Sequence, residues 1–183
     1  MAVTETQMRR EVLEIPAAVE RLLQNGGAEI SRAADAMRAR DPAVIISVAR
    51  GSSDHVATYL KYVSELLTGV PIASVGPSIA SIYARQLRMK NSVCLAVSQS
   101  GKSPDIVDMA RMSQTGGALT IAMTNTPDSP LAQVADHTLD LHAGPELSVA
   151  ATKTFVTSAV AGVLLLAEWA QHAELCAAIQ LLS

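Results

Sequence analysis

At 183 residues, with 49% hydrophobic and 17% charged side chains, the chain has apolar surface for one domain with a sizeable core, which excludes a disordered polymer. A net charge of −3 and 3% aromatic content, with no basic stripe, exclude a nucleic-acid groove. The most hydrophobic segment, Val156 to Trp169, is short for a membrane span and is expected to be a core or interface helix.

Met8, Val12, Ile15, Val19, Leu22 and Leu23 recur at helical spacing and predict a helical arm over residues 1–40, with Pro16 opening its second piece. Asn25-Gly26-Gly27 breaks the pattern, Ile30 to Arg38 resumes it, and Asp41-Pro42 stops it. From there strands and helices alternate: strand Val44 to Ala49, helix His55 to Leu67, strand Pro71 to Val75, short helix Ile79 to Gln86. Strand Ser92 to Val97, helix Pro104 to Gln114 and strand Leu119 to Thr124 follow. A brief helix from Asp128-Ser129-Pro130 to Ala135, a fifth strand from His137 to Leu141 and a long helix from Ser148 to Gln171 complete the pattern. Short continuous apolar strands between helix-length segments predict an α/β three-layer αβα sandwich, with a five-stranded parallel sheet of flavodoxin-like type, over residues 41–183. The last run, Leu175 to Leu182, is apolar with nothing after it to cover it, so a partner subunit or a continuation of the chain is expected.

Two strand-to-helix bends carry the chemistry. Ser98-Gln99-Ser100-Gly101-Lys102-Ser103 brings hydroxyls, a glycine and a helix start together, which suits a phosphate or another small anion. Arg50-Gly51-Ser52-Ser53-Asp54 makes a second bend of the same kind. In a parallel sheet both would face one crevice beyond the strand ends. Neither is a dinucleotide or P-loop fingerprint. Lys102 is expected to point to solvent, and Arg50 either reaches the anion or braces the turn. His55 reads as a cap or surface side chain. His137, His142 and His172 lack metal spacing, Cys94 and Cys176 read as buried thiols, and no metal or cofactor is called for. Residues 1–14 lack the apolar core of a signal peptide, so a reducing cytoplasm is expected.

These two bends, together with Gly144-Pro145-Glu146-Leu147-Ser148-Val149-Ala150-Ala151-Thr152-Lys153-Thr154-Phe155, resemble the sugar isomerase (SIS) family of phosphosugar isomerases and phosphosugar-binding regulators. The third motif is similar to the branch containing the isomerase half of glucosamine-6-phosphate synthase. Glu11-Val12-Leu13-Glu14-Ile15-Pro16 resembles the opening of SIS-type glucosamine-6-phosphate deaminases. The resemblance implies that Ser98, Gln99, Ser100 and Ser103 hold the 6-phosphate, while Ser52 and Ser53 meet sugar hydroxyls or the phosphate edge. Val149 and Ala150 would supply backbone contacts to the sugar. Interconverting an aldose and a ketose phosphate needs a base between C1 and C2, and Glu146 is the one acid in a recognised motif. A carboxylate there could equally cap the loop before the long helix, and Lys153 could brace that loop or pack.

In the family the principal glutamate base and a ring-opening histidine come from a second SIS half or a neighbouring subunit. The serine motif occurs once here, so the chain is expected to be the first half of a tandem pair and to form a homodimer. The implied partner is a small hexose phosphate, fructose 6-phosphate or glucosamine 6-phosphate, with no nucleic acid and no membrane. The implied chemistry is isomerisation with loss or transfer of the amino group. With alanine at position 2, transamidation from glutamine is not expected of this chain. A non-catalytic phosphosugar sensor and a structural half that completes a partner's site are the alternatives.

Overall fold

The computed structural model describes residues 6–182. Helices α1 (Gln7–Leu13), α2 (Ile15–Asn25) and α3 (Gly27–Arg40) lead into strand β1 (Val44–Ala49). Then come α4 (Ser52–Thr68), β2 (Ile72–Ser74), α5 (Ser78–Ser81), β3 (Ser92–Val97), α6 (Pro104–Thr115) and β4 (Leu119–Thr124). Helix α7 (Pro130–Val134), strand β5 (His137–Asp140) and helices α8 (Lys153–Trp169) and α9 (Ala173–Gln180) finish the described chain.

The five strands are all parallel, in the order β2-β1-β3-β4-β5. Every residue of β3 and β4 is buried, as expected of central strands covered on both faces by crossover helices. Alternate side chains feed two apolar layers. Ile45, Val93, Leu95, Val97, Ile121, Met123 and Leu139 pack with α2, α3, α4 and α8. Val48, Cys94, Ala96 and Ala122 pack with α6 and Leu131 of α7. The result is the α/β sandwich anticipated from the alternating pattern. Leu22, Ile30 and Met37, from the segment read as an arm, lie in the first of these layers.

Several elements differ from expectation, some only in their bounds. Helix α4 starts at Ser52 rather than His55, because Gly51 turns the chain at φ +57° and Asp54 N–H then bonds Gly51 C=O at 3.0 Å. The segment read as a helix from Ile79 to Gln86 keeps one turn only, Ser78–Ser81. Helix α8 starts at Lys153 rather than Ser148, for a reason that belongs to the site. Met8 and Val12, part of the helically spaced apolar set, are 43% and 46% exposed, and the one buried residue of α1 is Glu11.

Candidate functional site

The chain order reverses between β1 and β3, since β1 continues outward to β2 while β3 starts the opposite half of the sheet. Register pairs Ala49 with Val97, so both strands end at the same level and the two serine bends emerge side by side. A sheet of this type leaves a crevice at that reversal. Here it is a cavity of about 230 Å³ lined by Ser52 and Ser53 on one bank and Ser98, Gln99, Ser100 and Ser103 on the other. Val97 and Ile106 add apolar lining at its floor; neither could be picked out from sequence, where both read as core.

The 98–103 bend is held from behind. Ser98 N–H bonds Met123 C=O at 3.0 Å, Gln99 C=O accepts from Asn125 N–H at 3.0 Å, and Gly101 C=O accepts from Leu131 N–H at 3.0 Å. Gly101 sits at φ +60°, and a Cβ there would lie 2.1 Å from Ser129 Oγ and 2.9 Å from Thr124 Oγ1. Glycine is the residue that this turn admits. Ser103 caps α6 with extended backbone, and its hydroxyl makes no capping bond. Two of the helix's first N–H groups are thereby bonded to Ser103 C=O, while its positive end faces the cavity side of the bend.

Arg50 lies on the rim, 63% exposed, and its Nε donates to the Asp105 carboxylate in the first turn of α6. That ion pair ties the two serine bends to each other at the mouth. Lys102 and His55 are exposed and do not line the cavity.

The third wall is the segment 144–152, which contributes Glu146, Ser148, Val149 and Ala151. Ala150, implied by the resemblance as a main-chain contact to the sugar, is exposed past the bend at 148–150, and Ala151 lines the cavity. Glu146 Oε1 accepts from Thr152 N–H at 3.0 Å, Thr152 Oγ1 at 2.9 Å and Thr154 N–H at 3.1 Å, while Oε2 accepts from Thr154 Oγ1. The carboxylate thus caps α8 from outside the helix. This fixes the helix start at Lys153 and leaves 148–152 as wall rather than helix.

The wall is also held from the N-terminal helices. Glu11, 1% exposed, accepts from Leu147 N–H at 2.6 Å and from Ser148 N–H at 3.2 Å. The adjoining Ser148, then Gln7 and the Leu147 N–H, hold the Glu11 carboxyl down at about 2. Lys153, also 1% exposed, donates to Glu14 Oε2 at 2.6 Å and to Pro145 C=O at 2.7 Å. Arg21 donates to His142 C=O and Ala143 C=O at 3.1 and 2.9 Å, and Asn125 brackets Ala143 N–H and Gly144 C=O. Sequence patterning missed Glu11 because, among the apolar positions of an amphipathic helix, it reads as solvent-facing. Among the described residues no group of three or more His, Cys, Asp and Glu could hold a metal, and no helix is long and apolar enough to cross a membrane.

Residues 38–168 match the model of the SIS domain. The chain belongs to the SIS-domain family. The glutamine–fructose-6-phosphate aminotransferase (isomerizing) of Pyrococcus horikoshii is 30% identical over 161 residues, covering 88% of this chain and 27% of its own. A crystal structure of a proposed phosphosugar isomerase from Silicibacter pomeroyi DSS-3 superposes with a TM-score of 0.93 at 61% identity, covering 96% of this chain and 54% of that one. The C-terminal domain of glucosamine-fructose-6-phosphate aminotransferase from Francisella tularensis shares the fold, with a TM-score of 0.81 at 24% identity, covering 96% of this chain and 52% of that one. The SIS chain therefore spans about a quarter of this curated relative and about half of these solved chains.

Proposed function

We propose that this SIS domain binds a hexose 6-phosphate, fructose 6-phosphate or glucosamine 6-phosphate, and serves isomerisation coupled to loss or transfer of the amino group. The observation that carries the reading is the pairing of Ala49 with Val97, which sets two serine bends against one cavity. The phosphate takes its hydrogen bonds from Ser98, Gln99, Ser100 and Ser103, with α6 behind them, and the sugar lies between Ser52, Ser53 and the wall at Glu146 and Val149. Hydroxyl and main-chain donors suit a dianion, since hydrogen bonds to a charged group are the strong ones.

Glu146 is the one carboxylate lining the cavity, and four donors already converge on it. Moving a proton between C1 and C2 needs a base free to approach the substrate, whereas three bonds to Oε1 and one to Oε2 hold this carboxylate against residues 152–154. Glu146 is thus assigned to holding the wall, and the base comes from outside this cavity lining, from a second unit or subunit. The same observation favours a second reading, a domain that binds the phosphosugar without turning it over.

Calorimetric titration with fructose 6-phosphate and glucosamine 6-phosphate tests the reading, alongside assays of ammonia release and aldose–ketose turnover. Ser98→Ala and Ser100→Ala are each expected to raise Kd about tenfold or more, the loss of one hydrogen bond to a charged group. Unchanged affinity in both variants removes the phosphate assignment. Binding without turnover selects the second reading.

The solvent-facing side of α4 and α9 supports a homodimer. Tyr62, Leu66, Leu181 and Leu182 are 64%, 84%, 84% and 58% exposed, and an apolar hollow lined by Tyr59, Val160, Val163 and Leu182 joins α4, α8 and α9.

A further inference from the structure

We propose that Glu11 is a positioning residue for the sugar-facing wall: through it the N-terminal helix sets the shape of segment 145–152, while the phosphate cradle is built without it. The inference rests on the phosphosugar reading above. Three observations carry it.

First, α1 has no apolar anchor. Met8, Val12 and Leu13 are 43%, 46% and 66% exposed, and Glu11 is the only side chain that the helix buries. A helix of seven residues that buries a carboxylate and exposes its apolar side chains is not placed there by the hydrophobic effect. Its attachment is the pair of N–H groups of Leu147 and Ser148, 136 and 137 residues away in sequence.

Second, the wall offers little packing of its own. Leu147 is 76% exposed and Val149 107% exposed. A segment that buries so little is set by its hydrogen bonds, and those come from charged side chains. Glu11 holds 147–148, Glu146 holds 152–154, and Lys153 holds Pro145 C=O with Glu14 as its counter-charge. The wall is thus tied to the N-terminal helices at two places, by Glu11 directly at 147–148 and by Glu14 through Lys153. A buried charge is costly when a partner is lost, so the ties favour one wall geometry over neighbouring ones.

Third, Glu11 holds the wall and not the phosphate bend, although Asn125 touches both, its N–H bonding Gln99 C=O and its side chain Gly144 C=O. Segment 98–103 is fixed by Met123, Asn125 and Leu131, none of which bonds Glu11. Loosening Glu11 therefore acts on the sugar side, where Ser148 and Val149 line the cavity, and spares the phosphate side.

The test is Glu11→Gln in the full chain, titrated with fructose 6-phosphate and separately with inorganic phosphate. The amide keeps the shape and loses the charge that strengthens both N–H bonds. Affinity for fructose 6-phosphate is expected to fall about tenfold, while that for inorganic phosphate stays within about twofold of the wild type. An equal loss for both probes, or no loss for either, overturns the proposal. Wild-type chain that binds neither probe overturns the phosphosugar reading itself, and Ser98→Ala, which is expected to weaken both probes, separates the two failures. Should the variant not fold, amide hydrogen exchange in the wild type decides. Leu147 and Ser148 N–H are expected to exchange markedly more slowly than Ala150 N–H in the same exposed segment, and equal rates overturn the grip.

Discussion

Glu11 accepts two main-chain N–H bonds in the folded chain and none of them once the chain unfolds, so its proton affinity differs between the two states. Its carboxyl titrates at about 2 when folded, against an ordinary value of 4.5. A depressed carboxyl contributes stability that is fully present above about pH 4.5 and is lost as the pH falls toward 2. An NMR titration of the Glu11 side-chain carboxyl is expected to show a midpoint near 2, with the Leu147 and Ser148 amide signals moving along the same curve. A midpoint near 4.5 contradicts the contact. The neighbouring acid, Glu146, shows how a recognised motif conveys position but not role. Its presence in the cavity lining was expected, yet the threonines at 152 and 154 decide what its oxygens do. Residue type and spacing carry no information on how many donors reach a carboxylate.

At the scale of elements, β1, β3 and β4 have the bounds that their mainly apolar runs suggest. Helix starts were less legible. The glycine turn at Gly51 and the external cap from Glu146 each displaced a start by several residues, and both depend on geometry rather than on periodicity. Met8 and Val12 show the same limit from the other side: helical spacing identifies a face, and tertiary contact decides which face is covered. The exposed apolar side of α4 and α9 carries a prediction at this scale. Sedimentation analysis is expected to find a dimer, and the pair Tyr62→Glu with Leu182→Glu is expected to yield a folded monomer. A monomeric wild type contradicts the homodimer, and an unaltered dimer in the double variant places the interface elsewhere.

The whole molecule is a SIS domain in which each part of the cavity has its own source. The reversal of strand order supplies the crevice, the two bends supply hydroxyls, and the N-terminal helices reach across to hold the third wall. The bends were legible because serine and glycine at a strand end have a chemical reason to be there. The hold from Glu11, Glu14 and Arg21 was not, because contacts that span more than 120 residues leave no local pattern. The central claim, that two bends grip one hexose phosphate, is tested most directly by a crystal structure of the chain with fructose 6-phosphate. The phosphate is expected within hydrogen-bonding distance of the Ser98, Ser100 and Ser103 hydroxyls, with the sugar reaching Ser52 or Ser53. A phosphate bound away from residues 98–103, with this cavity left to solvent, would contradict the account.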